Sequence, residues 1–219
     1  MGGGITLLVV MASFLPGAAV IPVHGAVQLS SNISRTVLLR KFVDKAIFIP
    51  FALASIPGAF LGAHIMLALP EGIINAMIGS FVLLVVWMPK IKLGNLKISK
   101  TKKFIGVGLL TATANMFFGA GGILLGPFFA RIDLPRQAVV GTHGACMAFQ
   151  HLLKVVAFVV MGFAFGAYWQ LIACMVPAAM AGSWFGRKIL DKCPEHLFRI
   201  IFKTVVTLLA LRLLYVAFV

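Results

Sequence analysis

Two histidines stand 119 residues apart in the same setting. His24 and His143 are each followed by Gly-Ala and each lie near the start of a long apolar run. An ionisable side chain inside a membrane span marks a site by default. Neutral imidazole both donates and accepts a hydrogen bond, and it gains charge near pH ~6.5. Such a pair could hold an oxyanion or couple a proton; the structural alternative is a hydrogen bond to a backbone carbonyl. Thr142 adds a hydroxyl beside His143. Two glycine clusters, Gly2-Gly3-Gly4 and Gly119-Ala120-Gly121-Gly122, precede short apolar segments. A helix broken there would aim peptide N–H groups and the positive end of a dipole at an anion. Gly3, Gly4, Gly121 and Gly122 are therefore candidate binders, with small-residue helix packing as the alternative. Gln28, Ser31 and Asn32 follow His24, while Gln150, His151 and Lys154 follow His143. Asn32, Gln150 and His151 join the candidates, weighed against interhelical hydrogen bonding. Lys154 either attracts an anion inside or snorkels to the outer interface. It occupies the position equivalent to Arg35, which is placed at the inner interface.

These residues need helices to position them, and composition says the helices lie in lipid. The 219 residues are 61% hydrophobic, with mean hydropathy +1.07. No soluble domain of this size hides that much apolar surface. Only five acids occur: Asp44, Glu71, Asp133, Asp191 and Glu195. The net charge of +14 comes from basic residues flanking apolar runs. It is read as a topology signal, with no nucleic-acid partner. Cys146, Cys174 and Cys193 show no CxxC or metal-ligand spacing and read as buried small hydrophobes. There is no paired carboxylate, nucleophile motif, metal cluster or phosphate loop, so no enzyme, no catalytic or metal residue and no cofactor is expected. The N-terminus lacks a basic n-region and cleavage site, so no signal peptide is expected. Asn32-Ile33-Ser34 lies in an apolar stretch and is not read as a glycosylation site.

The chain contains itself twice. Pro16, Ala19, Val20, His24, Gly25 and Ala26 recur as Pro135, Ala138, Val139, His143, Gly144 and Ala145. Gly58, Gly62, Pro70 and Glu71 recur as Gly182, Gly186, Pro194 and Glu195, now 124 positions on. About five extra residues are thus expected in a loop of the second copy. The pattern predicts short segments over 5–15 and 123–132. It predicts long ones over 18–39, 46–69, 72–88, 137–163, 168–189 and 195–218, and a limb over 104–118 that leads into the glycine break. A full span needs about 20 residues, so the two short segments cross about half a bilayer. Gly58-x-x-x-Gly62 and Gly182-x-x-x-Gly186 are packing motifs. His64 and His196 should face water, and Pro50, Pro57 and Pro177 should kink their spans.

Charge orients the whole. The linker 89–103 carries Lys90, Lys92, Lys97, Lys100, Lys102 and Lys103 and should be cytoplasmic. Arg35, Arg40, Lys41 and Lys45 then fall inside. Residues 104–132 place Arg131, Arg136, Arg187, Lys188, Lys192 and Arg199 inside only as a re-entrant hairpin bent at 119–122. The expected fold class is an all-α integral membrane protein, one membrane domain over 1–219. Repeat one covers 1–88, with its inbound hairpin limb missing; the linker follows, then repeat two over 104–219. Each repeat is a re-entrant hairpin plus three transmembrane helices, and the second is inverted.

Gly119-Ala-Gly-Gly-Ile-Leu-Leu-Gly-Pro127, then Leu134-Pro-Arg-Gln-Ala-Val-Val-Gly-Thr142-His143, resembles the sulfite exporter TauE/SafE family of membrane transporters, across nearly the whole chain. The resemblance implies transport of sulfite, sulfonates or related small anions across a bacterial inner membrane. The family usually carries Ser where His24 and His143 stand, so substrate or coupling can differ here. The expected partners are a small anion and the lipid bilayer. Proton coupling and a homo-oligomer stay open. The first reading is an alternating-access carrier; an anion channel of the same fold and an inactive truncated subunit are the alternatives.

Overall fold

The computed structural model describes residues 3–67, 69–87, 99–119, 121–129, 132–190 and 194–218. Among them the chain is helical: α1 (Gly3–Ala12), α2 (Gly17–Leu38), α3 (Lys45–Leu67), α4 (Glu71–Trp87), α5 (Lys100–Phe118), α6 (Gly121–Phe129), α7 (Arg136–Val160), α8 (Trp169–Leu190) and α9 (Glu195–Phe218). Short 3₁₀ turns, Arg40–Phe42 and Phe165–Tyr168, precede α3 and α8. Most of the expected linker, 89–98, lies outside the described residues, as do Ala120, Arg131, Asp191 and Cys193. Lys100–Lys103, assigned to that linker, instead open α5, where the Ser99 hydroxyl accepts from the Lys102 N–H at 3.4 Å.

Helix starts repeat with the sequence. Pro16 and Pro135 cap α2 and α7 with nearly the same backbone angles, φ −54° with ψ 139° and 144°. A proline suits this place because its missing N–H would have no intrahelical partner. The inserted residues of the second copy divide: α7 has 25 residues against 22 in α2, and the connection to α8 takes the rest. The insertion is thus not confined to a loop.

Among the described residues four helical stretches are long and apolar enough to cross a membrane: Lys45–Met66, Arg136–Val160, Phe165–Gly182 and Ile200–Ala217. α2 was expected to be a full span, and its 22 residues reach about 33 Å. Its Gln28, Ser30, Ser31, Asn32, Ser34 and Arg35 make it too polar to qualify. α4, with 17 residues, falls just short. α1 and α6, with ten and nine residues, reach only about 15 Å.

Contacts fix the directions. Gly25 meets Lys154 and Gly144 meets Arg35, so α2 and α7 are antiparallel. Gly72 meets Ala217 and Gly79 meets Ala210, so α4 and α9 are too. α5 and α6 form a hairpin. Gly119 turns the chain at φ 67°, a left-handed angle that suits glycine. α6 then doubles back until Phe129 meets Phe104 at 5.6 Å between ring centroids. At that same end Lys103 sits over Phe128 at 5.8 Å. The Thr142 hydroxyl, near the start of α7, accepts from the Asp44 N–H at 2.8 Å, bringing the Arg40–Phe42 turn alongside. Arg40, Lys41, Lys102, Lys103 and Arg136 therefore gather at one end of the bundle.

α3 and α5 run parallel in backbone contact. A Cβ on Gly58 would lie 2.5 Å from the Leu109 carbonyl oxygen, and one on Gly108 would lie 2.5 Å from that of Phe51. Ser55 and Thr113 hydroxyls donate across the seam to the carbonyls of Gly108 (3.3 Å) and Gly58 (3.0 Å). In lipid such close small-residue packing replaces the hydrophobic drive. Gly58→Val should therefore lower stability by about 1–3 kcal/mol, the usual range for overpacking; thermal unfolding in detergent reads it.

Two apolar clusters form, one around Leu8, Val20, Ile78 and Val206, the other around Phe51, Phe104, Leu125 and Phe129. The buried polar side chains belong to neither. Pro50, Pro57 and Pro177 lie within α3 and α8 without ending them. His64, His196 and Cys174 are exposed, whereas Cys146 is buried.

Candidate anion site in the polar centre

Lys154, in the sixth turn of α7, is completely buried. Its ammonium donates to Asn115 Oδ1 at 3.0 Å. The same oxygen accepts from the Gly121 N–H at 3.2 Å. Asn115 therefore ties the lysine to the start of α6. The lysine stem crosses Gly25 so closely that a Cβ there would sit 2.7 Å from Lys154 Cδ. An ammonium carries three N–H donors, and among the described residues only Asn115 takes one of them. Among the described side chains no acid is hydrogen-bonded to it. Asp44 caps α3 through the Ala46 and Ile47 N–H groups, Asp133 is exposed, and Glu71 and Glu195 open α4 and α9.

Imidazoles surround it. His24 Nε2 lies 3.0 Å from the Gly4 carbonyl and 3.4 Å from Gln28 Nε2. The shorter contact requires Nε2 to carry the proton, since a carbonyl only accepts. His24 Nδ1 is then an acceptor while the ring is neutral and a donor once it is protonated. His151, one turn before Lys154, packs edge-on to His24 at 6.1 Å between centroids. Beside it in the chain, Gln150 Nε2 donates among Thr111 Oγ1 (2.9 Å), Ser55 Oγ (3.1 Å) and the Gly108 carbonyl (3.3 Å).

Buried polar atoms in proteins nearly always have partners. Here His24 Nδ1, His151 Nδ1, Asn115 Nδ2 and Gln150 Oε1 have none. They cluster around an uncompensated cation. A small oxyanion would accept from Lys154 and Asn115 Nδ2 and balance the charge. The group set offers no hydride, nucleophile or metal chemistry. Among the described residues no three His, Cys, Asp or Glu come together as metal ligands.

The second histidine has a related setting. His143 Nε2 lies 3.3 Å from the Gly122 carbonyl, and its ring meets Phe129 edge-on at 5.6 Å. A Cβ on the neighbouring Gly144 would be 3.4 Å from Arg35 Cδ. Thus Lys154 crosses the glycine after His24, and Arg35 crosses the glycine after His143. The two differ in cover: Lys154 is buried and Arg35 is exposed.

Of the residues singled out by sequence, the structure brings Gly4, His24, His151 and Gly121 together, with Gln150 one turn away. His143 and Gly122 form a separate pair. The histidines contact carbonyls of the short helices rather than N–H groups. Gly3 is exposed and touches none of them. Asn32 donates to the Gln28 carbonyl of its own helix at 2.8 Å. The Thr142 hydroxyl is engaged by Asp44. Asn115, Thr111 and Ser55 were missed. A signal existed for Asn115: an amide in the last turn of an apolar limb, just before the glycine break.

These features define a class, a multi-pass helical membrane protein with a charged, hydrogen-bonding centre. The chain belongs to the sulfite exporter TauE/SafE family, whose model matches residues 1–213. The family consists of membrane transporters of sulfur-containing anions rather than enzymes. No curated protein and no solved structure matched the chain.

Proposed function

We propose that this protein is an alternating-access carrier of a small sulfur-containing or organic anion in a bacterial inner membrane, and that Lys154, Asn115, His24 and His151 form its binding centre. The observation that carries this reading is the buried Lys154 ammonium, which among the described residues has one hydrogen-bond partner, Asn115, and no acid beside it. A buried charge without a partner is costly, and a bound anion removes that cost. The protonatable imidazoles beside it are the groups through which a proton could couple.

The architecture proposed is two inverted repeats over 1–88 and 104–219, joined by a basic cytoplasmic linker. The antiparallel pairs α2–α7 and α4–α9, each joining a helix to its own counterpart, support it. So does the α5–α6 hairpin, read as re-entrant. A carrier and a channel separate by counterflow: substrate on the far side should accelerate labelled uptake into vesicles. Equal rates with and without trans substrate would point to a channel. Binding of sulfite, thiosulfate, methanesulfonate and short carboxylates to purified protein should rank the substrates. If none binds, the carrier reading fails.

Topology gives a further expected result. Cysteines at positions 41, 97, 136 and 188 should all be unlabelled by an impermeant maleimide added outside intact cells, because basic clusters stay cytoplasmic. Labelling at 136 or 188 would overturn the inverted arrangement. Position 97 lies outside the described residues, and no side chain is described at 188.

A further inference from the structure

The antiparallel seam of α2 and α7 has two sides. One carries His24, His151 and Lys154 and belongs to the polar centre. The other is apolar and forms a groove of about 240 Å³. Leu29, Ile33 and Val37 of α2 line it at intervals of four, and Ala145, Ala148 and Leu152 of α7 at intervals of three and four. Such spacings put each set on one face of its helix. Phe48 of α3 meets Phe149 edge-on at 6.0 Å along the wall. Thr36 also lines the groove, but its hydroxyl donates to the Asn32 carbonyl of its own helix at 2.8 Å. Ile33, Val37 and Leu152 are exposed.

The groove has a direction. Leu29 and Leu152 lie at one end, Val37 and Phe48 at the other. Basic side chains begin within a turn of that second end. Arg40 and Lys41, in the 3₁₀ turn after α2, come three and four residues after Val37. Lys45 opens α3 three residues before Phe48. All three are exposed. Asp44, the acid among them, points its carboxylate at the Ala46 and Ile47 N–H groups. Leu38 and Phe42 stand exposed between these cations.

We propose that this groove holds one anionic phospholipid, with an acyl chain along α2 and α7 and its phosphate among Arg40, Lys41 and Lys45. Two observations select the occupant. The first is size. A helix ~10 Å across, laid along the ~12 Å from Leu29 to Val37, displaces roughly 900 Å³, about four times the groove. An acyl chain is thin enough to enter. The second is charge. The cations stand where the headgroup of a lipid so placed would lie, and a basic residue near anionic lipid raises affinity roughly fivefold. The site is separate from the Lys154 centre, because it opens on the opposite side of the same helix pair.

A tryptophan reporter tests this in the full chain. Trp87, Trp169 and Trp184 are first replaced by phenylalanine. Leu152→Trp then sets the single indole at the deep end of the groove, and Leu208→Trp sets it on an exposed position of α9 as a control. Quenching by phosphatidylglycerol or phosphatidylcholine brominated in the acyl chains gives the relative affinity of the two lipids at each position. Phosphatidylglycerol should be favoured by at least about fivefold at position 152 and not at position 208. Lys41→Gln with Lys45→Gln should bring the preference at position 152 close to one. Native mass spectrometry of the unaltered chain should show one retained phosphatidylglycerol, and Ala148→Phe, which fills the groove, should remove it. Equal preference at positions 152 and 208 would reduce the groove to ordinary lipid contact and overturn the proposal. So would a preference that survives the double lysine variant, or an unaltered chain that retains no phosphatidylglycerol. An adduct that persists in Ala148→Phe would place the lipid elsewhere.

Discussion

Lys154→Met should abolish anion binding and at the same time raise the unfolding temperature of the empty protein. The two signs follow from one fact. Lys154 is fully buried and, among the described residues, hydrogen-bonded only to Asn115 Oδ1. In the empty state the protein bears the desolvation of an unpaired ammonium, and replacing buried charge by an apolar group of similar shape is often stabilising, by about 1–4 kcal/mol for ion pairs. Methionine keeps the unbranched stem that crosses Gly25. In the bound state the same ammonium supplies charge-assisted hydrogen bonds worth roughly 1.5–3 kcal/mol each. Losing two such bonds should weaken binding by at least about a hundredfold. Thermal unfolding with and without methanesulfonate measures both effects, since a sulfonate keeps its charge across the working pH range. A Met variant that is destabilised when empty would assign Lys154 to the fold. A variant that binds normally would remove it from the site.

Gly121 and Gly122 should respond very differently to alanine, although they are neighbours in one glycine run. A Cβ on Gly121 would fall 2.9 Å from Asn115 Cβ and 3.1 Å from the Thr111 carbonyl oxygen. Asn115 would have to move, and with it the acceptor that orients Lys154. A Cβ on Gly122 would meet His143 Cε1 at 3.6 Å, an ordinary contact. Gly121→Ala should cost about tenfold or more in affinity, because misplacing a single buried charge-assisted hydrogen bond removes roughly 1.5–3 kcal/mol. Gly122→Ala should change affinity less than about threefold, the scale of a tolerated surface or contact change of roughly 0.5 kcal/mol. Circular dichroism of both variants checks that each remains folded. Equal affinity in the two would show that the start of α6 is packing and that Asn115 does not hold the lysine.

Much of the fold was legible in the chain. The two short segments, the limb over 104–118 and the six long segments follow from where apolar runs meet proline, glycine and basic residues, because lipid permits little except satisfied helices. The duplication was visible because identical residues at fixed offsets survive without any tertiary information. His24, His151 and the glycine breaks could be singled out because a polar group in an apolar run has few places to go.

Tertiary packing decided the rest. Lys154 read equally as a snorkelling residue or a site residue, since a long flexible stem reaches either way. Only the approach of α2 at Gly25 and of α5 at Asn115 holds it inside. Thr142 and Asn32 carried the same signal as Gln150, yet Thr142 holds the Asp44 N–H and Asn32 its own helix, whereas Gln150 crosses to α3 and α5. Residue type and helix position set which faces are polar. They do not set which neighbour arrives at each face, because that depends on backbone approaches between segments 40 to 130 residues apart. For the same reason two glycine motifs of like sequence ended differently: Gly58 is closed on a carbonyl of α5, and Gly182 stands open.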